Sequence, residues 1–234
     1  MLGLGSNLVT GGAPSEWTPA SLGSALKAWF KNGTDILEGV SDPAEDGDSV
    51  TQWSDQSGND NHLTAPNNYF TYDAATGGVE SGDTQNDKLY LTNQLILSGE
   101  FALYTQVSFS TISTGANDLF FYDKDSASTD FFRIQSTTEV RGKINNGTVR
   151  KWTQATQSVD TFYNFGIERN ASNNLFAYRD GSALEATTTV SDTGVLDIDA
   201  VGGTFDGIIK EIIICNSSLS SSDRTALQTY LANI

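Results

Sequence analysis

An oxygen-rich loop supplies the best set of metal ligands in the sequence. Asp55, Asn59, Asp60 and Asn61 lie within seven residues, and carboxylate and amide oxygens are the ligands that Ca²⁺ prefers. Their spacing does not match an EF-hand loop, and Asp and Asn are also the residues that Asx turns require. The stretch leaves two interpretations open, a calcium site and a structural loop. No other cofactor is predicted.

Residue types suited to catalysis are sparse. The single histidine, His62, follows Asn61 in a predicted turn, and a nucleophilic site would need partners that the sequence does not place beside it. Retaining glycosidases use two carboxylates about 5.5 Å apart. The nearest alternating acids are Asp197 and Asp199, which we interpret as acids at the edge of a turn. The sequence therefore predicts a protein without enzymatic activity.

Aromatic side chains near loops are the candidates for carbohydrate binding, because a sugar ring stacks on an exposed aromatic face. Four residues meet the positional requirement: Trp152, Tyr69, Tyr72 and Tyr122. Trp29 and Trp53 instead lie in alternating strand-like segments and are predicted to belong to the core.

The charge balance excludes several classes of partner. With 13 basic and 29 acidic residues the net charge is -16, which opposes a general nucleic-acid or anionic-membrane surface. Membrane insertion is not predicted, because no apolar run approaches the ~20 residues that a span requires. One basic cluster stands out, which we interpret as a solvated strand face that balances charge, the alternative being a patch for an acidic partner. It comprises Arg133, Arg141, Lys143, Arg150 and Lys151.

The elements that position these residues are predicted to be strands. Phe101 to Ile112 alternates with period two and is expected in the middle of a sheet. Asn146-Gly147 and Asp180-Gly181 are typical of tight hairpins. Ile208 to Cys215 is the strongest strand, and the only cysteine, Cys215, is predicted to be a buried, inert thiol. Ser220 and Asp223 then have the spacing of a capping box that starts a short C-terminal helix.

Two separated motifs resemble laminin-G-like domains of the concanavalin A-like superfamily. The first runs Leu26-Lys-Ala-Trp29 and then Val50-Thr-Gln-Trp53-Ser-Asp55-Gln-Ser-Gly58-Asn59-Asp-Asn61-His62, and the second runs from Phe205-Asp-Gly207 to Tyr230-Leu231. The resemblance implies an all-β fold, an antiparallel two-sheet jelly-roll sandwich over residues 17–234 with a short C-terminal helix. It also implies that the loop after Trp53 binds metal in some members. The Glu-x-Asp-x-Glu run of the superfamily's glycoside hydrolases is absent from the sequence.

Residues 1–16 are predicted to form an extended arm, because they are rich in glycine and have no periodic apolar pattern. We expect the arm to dock on another subunit through Leu2, Leu4, Leu8 and Val9. Its start, Met1 to Asn7, resembles virion proteins of tailed bacteriophages. No signal peptide is recognisable at this end. Synthesis in the host cytoplasm and a place on the virion surface are therefore expected.

Two functions follow from these observations. The first is a structural or adhesive module that decorates a phage capsid or tail, with other virion proteins or copies of itself as partners. The alternative is a stand-alone carbohydrate-binding module that recognises a cell-surface glycan. Both are binding functions, and fold alone does not choose between them.

Overall fold

The computed structural model describes residues 16–66, 70–82, 87–112 and 118–234. Within these residues the chain forms a 3-10 helix at Pro19–Ala25 and one α-helix, α1, at Ser221–Leu231. The strands are, in chain order, β1 Leu26–Phe30, β2 Ile36–Leu37, β3 Gln52–Trp53, β4 Leu63–Thr64, β5 Thr71–Asp73, β6 Gly78–Ser81, β7 Asp87–Leu97, β8 Phe101–Phe109, β9 Asp118–Tyr122, β10 Phe131–Ser136, β11 Glu139–Lys143, β12 Arg150–Thr153, β13 Tyr163–Arg169, β14 Leu175–Arg179, β15 Ser182–Ala183, β16 Glu185–Ala186, β17 Leu196–Gly203 and β18 Gly207–Cys215.

The strands form two antiparallel sheets. The eight-stranded sheet has the order β15-β14-β13-β8-β18-β6-β5, with β1 paired to β18. The ten-stranded sheet has the order β16-β12-β11-β10-β9-β17-β7-β4-β3-β2. Their facing sides enclose one large apolar core. The predicted all-β sandwich with a short C-terminal helix is confirmed, and residues 1–15 of the predicted arm lie outside the described residues.

Strand β18 lies at the centre of the eight-stranded sheet. It pairs with β8 along one edge and with β6 and then β1 along the other. Ile209, Ile212 and Ile214 are buried in the core, as the β-branched run predicts. Cys215 at its end is also buried, and burial raises the pKa of its thiol to about 12, which confirms the predicted buried thiol.

Alternation along the strands places further apolar groups on the outer faces of both sheets. Helix α1 covers the eight-stranded sheet and packs Leu227 and Leu231 against Ala102 and Tyr104. The helix begins as predicted, because the Ser220 hydroxyl accepts a hydrogen bond from the amide of Asp223 at 3.1 Å. Among the described helices, none has the length and apolar character needed to cross a membrane.

A buried ion pair fastens α1 to the sheet. Arg224 of α1 donates from Nε and Nη2 to the two carboxylate oxygens of Glu168 on β13, at 2.9 and 2.7 Å. The Tyr104 hydroxyl donates to the same carboxylate at 2.5 Å, and the guanidinium lies 4.7 Å from the centroid of the Tyr178 ring. The Glu168 side chain is 2% exposed, so its charge depends on these donors.

The structure contains one of the two predicted hairpin turns. Asp180 and Gly181 join β14 to β15 with φ of 49° and 78°, the conformation for which Asp-Gly is selected. Strands β11 and β12 also pair, but β11 ends at Lys143 and β12 begins only at Arg150. The predicted two-residue turn at Asn146-Gly147 was therefore wrong. Asn145 and Asn146 take the positive φ instead, at 47° and 53°, because asparagine tolerates the left-handed region.

A second buried carboxylate, Glu211 of β18, joins three elements. It accepts hydrogen bonds from Trp29 Nε1 at 2.5 Å, the Asn32 amide at 2.6 Å and the Tyr230 hydroxyl at 2.7 Å. Burial raises the pKa of this carboxyl from its usual 4.5 to about 6, although its hydrogen bonds and Lys31 act in the opposite direction. Desolvation of the charge therefore outweighs its partners.

Glu211 is expected to make stability depend on pH. Because its pKa is raised on folding, the folded state keeps the proton to higher pH than the unfolded state does. The resulting stability is fully present below pH 4.5 and is lost as the pH rises through about 6. The difference in unfolding free energy between the wild type and Glu211→Gln should change by about 2 kcal/mol between about pH 4.5 and pH 7, as measured by urea denaturation. Exposed Glu80→Gln is the control. A difference that is constant with pH would contradict the assignment.

Candidate functional site

The oxygen-rich loop, for which the sequence leaves a calcium site and a structural loop open, contains a network of internal hydrogen bonds. Both carboxylate oxygens of Asp55 are occupied by donors: Oδ1 accepts from the amides of Trp29 and Ser57 at 2.8 Å, and Oδ2 accepts from the Ser57 hydroxyl at 2.7 Å and the Asn61 amide at 3.0 Å. Asn59 and Asn61 turn their NH₂ groups toward carbonyl oxygens of β1. These contacts do not fit a calcium site.

The neighbours of this loop complete the same arrangement. Asp60 has a positive φ of 56° and its carbonyl accepts from the Thr92 hydroxyl at 3.0 Å. His62 Nδ1 accepts from the Asp55 amide at 3.1 Å, which agrees with the interpretation of His62 as a loop residue. The Asx-turn interpretation explains the residue types here.

Three other acids come together between β9 and β17. One carboxylate oxygen each of Asp123, Asp125 and Asp199 lies within 4.8 Å of the others. Asp199 is fully buried and accepts hydrogen bonds from the Lys124 amide at 2.6 Å and the Lys124 ammonium at 2.5 Å. The hydrogen bond from the Lys124 ammonium to Asp199 is also the main reason why the pKa of Lys124 is raised. Lys124 therefore supplies the positive charge that this cluster needs.

The four aromatic candidates differ in how deeply their side chains are buried. Trp152 is 1% exposed and points into the core between the two sheets, since its place on β12 sets it opposite Val140; it does not line a surface cavity. Tyr72 is half-buried and packs on the core edge. Tyr69 lies outside the described residues. Tyr122 is only 2% exposed but belongs to a small cluster away from the main core.

That cluster marks a continuous row across the outer face of the ten-stranded sheet. Tyr122 lies opposite Phe131 on one side and Ala200 on the other. Phe131 in turn lies opposite Lys143, and Ala200 opposite Tyr90. Chain neighbours such as Phe121 and Phe132 are in the core, so alternation points this row outward. Five strands thus contribute one side chain each to a single line.

A cavity of about 520 Å³ opens on this row, within the range typical of small-ligand sites. We call it the cationic pocket. Its residues are Lys88, Tyr122, Ala127, Ser128, Phe131, Arg133, Lys143, Val149, Gly203 and Thr204. Every charged residue in this described lining is a cation, although the chain as a whole carries a net charge of -16.

The cations of the pocket are not neutralised. Within the part of the chain that the structure describes, Lys88, Arg133 and Lys143 form no ion pair. Among the described residues, Lys143 donates to the Ser128 carbonyl and Asn146 Oδ1, at 2.8 and 2.9 Å, so its third ammonium hydrogen has no acceptor there. Burial, and secondarily Arg141, lowers the pKa of Arg133. An anion in the pocket would offset this cost.

Two buried polar atoms in the pocket lack partners among the described residues, the Tyr122 hydroxyl and Arg133 Nε. Buried polar groups are nearly always hydrogen-bonded, so each orphan needs an explanation. The Arg133 guanidinium lies 4.3 Å from the Phe131 ring centroid, which fixes its plane. Burial raises the pKa of Tyr122 well above its usual value, so the phenol stays protonated and can donate. The pocket offers fixed donors to an acceptor-rich ligand.

Comparison with known proteins identifies the fold. No protein-family model and no curated protein matches the sequence. Among solved structures, the sialidase of Trypanosoma rangeli matches with a TM-score of 0.60 at 13% identity, over 89% of this chain and 33% of that chain. The binding domain of Paraclostridial Mosquitocidal Protein 1 matches with a TM-score of 0.62 at 10% identity, over 92% and 54% of the two chains.

A third structure, described by the dependence of botulinum neurotoxin type C cell entry on interaction with two ganglioside molecules, gives a TM-score of 0.64 at 10% identity. It covers 92% of this chain and 53% of that one. The chain thus spans about a third to a half of the structures it resembles. At these identities the likeness establishes the class of fold, a two-sheet β-sandwich, and no more.

Proposed function

We propose that this protein is a non-catalytic binding module that holds an acidic saccharide in the cationic pocket. The observation that carries the proposal is the convergence of Lys88, Arg133 and Lys143 on one cavity of a strongly acidic chain. Guanidinium and ammonium groups bind carboxylate and sulfate oxygens by charge-assisted hydrogen bonds. The likeness to the botulinum neurotoxin type C structure, whose description names two ganglioside molecules, supports a glycan as ligand.

The rest of the pocket suits a sugar. Tyr122 and Phe131, 2% and 4% exposed, form the apolar floor, and the half-buried Val149 supplies more accessible apolar surface beside it. Sugar sites combine apolar contact with a few placed polar groups. A saccharide that carries one anionic group would use both parts, its ring on the floor and its anion between the cations.

Absence of catalysis is part of the proposal. Glycosidases of the usual kind use two carboxylates, whereas the described lining of this cavity contains cations, aromatics and small residues. The raised pKa of Tyr122 also opposes its use as a phenolate nucleophile at neutral pH. Incubation of the protein with an acidic saccharide should leave the saccharide intact by mass spectrometry, and release of a monosaccharide would contradict this part.

A matched pair of sugars tests the ligand class. Sialyllactose and lactose differ by one carboxylated residue, so calorimetric titration should show binding of the first and much weaker binding of the second. Titration with lactose sulfate shows whether the site requires a carboxylate or binds any anionic group. Binding should weaken steeply with salt, since the site is cationic. Equal affinity for lactose and both acidic sugars would overturn the proposal.

Removing a cation should abolish most of the affinity. A hydrogen bond to a charged group contributes about 1.5–3 kcal/mol, so Arg133→Met should weaken binding of the acidic saccharide by about ten-fold or more. Lys88→Met should act in the same direction. Lys27→Met is the control, because it changes the net charge equally from β1 of the other sheet. An unchanged affinity in Arg133→Met, or an equal loss in Lys27→Met, would contradict the placement of the site.

A role at a virion surface is a second proposal and is compatible with the first. It depends on the N-terminal resemblance and on the predicted contacts of Leu2, Leu4, Leu8 and Val9, which lie outside the described residues. The acidic composition and the proposed binding function support a surface module. Co-sedimentation of the chain with assembled particles, lost on deletion of residues 1–12, is the expected result.

A further inference from the structure

A second cavity opens on the opposite side of the sandwich, beside the end of α1. Three neighbouring strands of the eight-stranded sheet contribute to it. Asn164 of β13 lies directly opposite Gln106 of β8, and a register shift between Ile209 and Glu211 of β18 gives Lys210 an extra position beside them. Gln228 of α1 closes one side of this cavity of about 440 Å³. None of these residues belongs to the cationic pocket.

Three side-chain amides in this cavity orient one another. Gln106 donates through Nε2 to Asn164 Oδ1 at 3.0 Å and to the Leu231 carbonyl at 2.6 Å. Asn164 donates through Nδ2 to Gln228 Oε1 at 3.3 Å. Because Gln106 meets two acceptors, its NH₂ group must face them, and this fixes the direction of the whole series. We call Gln106, Asn164 and Gln228 the amide relay.

The relay leaves one free group at each end. Gln106 Oε1 is an acceptor and Gln228 Nε2 is a donor, and both are buried without a partner among the described residues. Gln106 is only 6% exposed but lines the cavity, and a buried polar group without a partner needs an explanation. An acceptor and a donor held in one cavity call for a ligand that both donates and accepts.

The other groups around the cavity favour a ligand without net charge. Lys210 and Asp180 bring opposite charges. The Asp180 carboxylate already accepts a hydrogen bond from the backbone N–H of Asn164 at 2.9 Å. The Lys210 ammonium lies 4.9 Å from the centroid of the Phe162 ring. A hydroxyl group donates and accepts at once. A ring that carries several hydroxyls therefore offers a donor and an acceptor to the two ends of the amide relay.

We propose that this amide pocket binds a neutral, polyhydroxylated ring, a hexose unit. One hydroxyl donates to Gln106 Oε1, another accepts from Gln228 Nε2, and Phe162 borders the ring. The inference does not depend on the cationic pocket, because the two cavities share no residue. It assigns the chain two saccharide sites of different charge preference.

Side-chain amide signals provide a direct test on the full chain. Methyl glucoside, methyl galactoside and methyl mannoside are titrated separately to about 50 mM, a range suited to a weak single-sugar site. The nitrogen–proton signals of Gln106, Asn164 and Gln228 should shift together with at least one glycoside. Shifts produced only by glucuronate, no shift with any neutral glycoside, or a crystal structure soaked with glycoside that shows only an ordered water between the two free groups would each overturn the proposal.

Substitutions at Gln228 test whether its free donor contributes to glycoside binding. Gln228→Met removes the free donor at similar size, and Gln228→Glu replaces it with an acceptor. Both should weaken glycoside binding by about ten-fold or more while sialyllactose binding at the cationic pocket stays unchanged. Gln94→Met on β7 is the matched control. Wild-type titration curves for both Gln228 variants would overturn the proposal, whereas loss of sialyllactose binding alone would count only against the cationic pocket.

Discussion

Arg224→Met should destabilise the protein by about 3–5 kcal/mol, because it leaves the buried Glu168 carboxylate without its cation. Glu168 is 2% exposed and receives two hydrogen bonds from the guanidinium. After the substitution the Tyr104 hydroxyl is the remaining described side-chain donor to this carboxylate. Helix α1 would also lose its charged attachment to β13, and the hydrogen bond between Asn164 and Gln228 would remain. Urea denaturation at pH 7, followed by fluorescence and circular dichroism, measures the change.

A second substitution distinguishes lost charge compensation from lost packing. Glu168→Gln removes the buried negative charge and keeps an acceptor for Tyr104, so it should restore part of the stability of Arg224→Met. Arg224→Lys keeps a positive charge but not the two-pronged contact, and an intermediate loss is expected. If the double variant lost the sum of the two single losses, the ion pair would not explain the effect.

Gly207→Ala should cost about 3–5 kcal/mol, since it combines a strained backbone with a severe overlap. Gly207 has a φ of 146° and starts β18 where that strand lies between Phe109 of β8 and Ser81 of β6. A Cβ there would lie 2.1 Å from the Ser108 carbonyl oxygen. The strands would have to separate at the centre of the sheet. The melting temperature and the urea midpoint should both fall.

Gly47→Ala is the matched control for this variant. Gly47 also has a positive φ, 83°, but a Cβ at this position meets nothing within 4 Å. Only the backbone term remains, about 1–2 kcal/mol. Equal losses in the two variants would show that the contact with Ser108 is relieved by a small local shift.

Local sequence signals predicted the elements well. The β-branched run that forms β18 and the Ser220–Asp223 cap of α1 depend on neighbours in the chain, and the structure contains both. Trp152 shows where the same reasoning stops. Its closeness to a predicted turn suggested exposure, but the pairing of β12 with β11 turns its ring inward. The face of a short strand depends on register, which its own residues do not determine.

The sites depended on pairings between distant segments. Arg133 and Lys143 belong to the basic cluster recognised in the sequence, and both line the cationic pocket. Lys88 was missed, because it reaches the pocket through the pairing of β7 with β17. The amide relay joins residues 106, 164 and 228. No local pattern marks three isolated amides as neighbours, so that cavity could not be predicted from the sequence.

The buried thiol at the end of β18 can report local opening of the structure through its rate of chemical labelling. Cys215 pairs with Leu26 of β1 and with Ala102 of β8, and it is the only cysteine in the chain. Its side chain belongs to the apolar cluster that also contains Leu227 and Leu231 of α1. A reagent that modifies thiolates can react only after this cluster opens, so the rate of labelling reports how often the cover formed by α1 leaves the end of β18. The natural sequence therefore carries its own reporter, and the same reaction can rank every variant without an added probe.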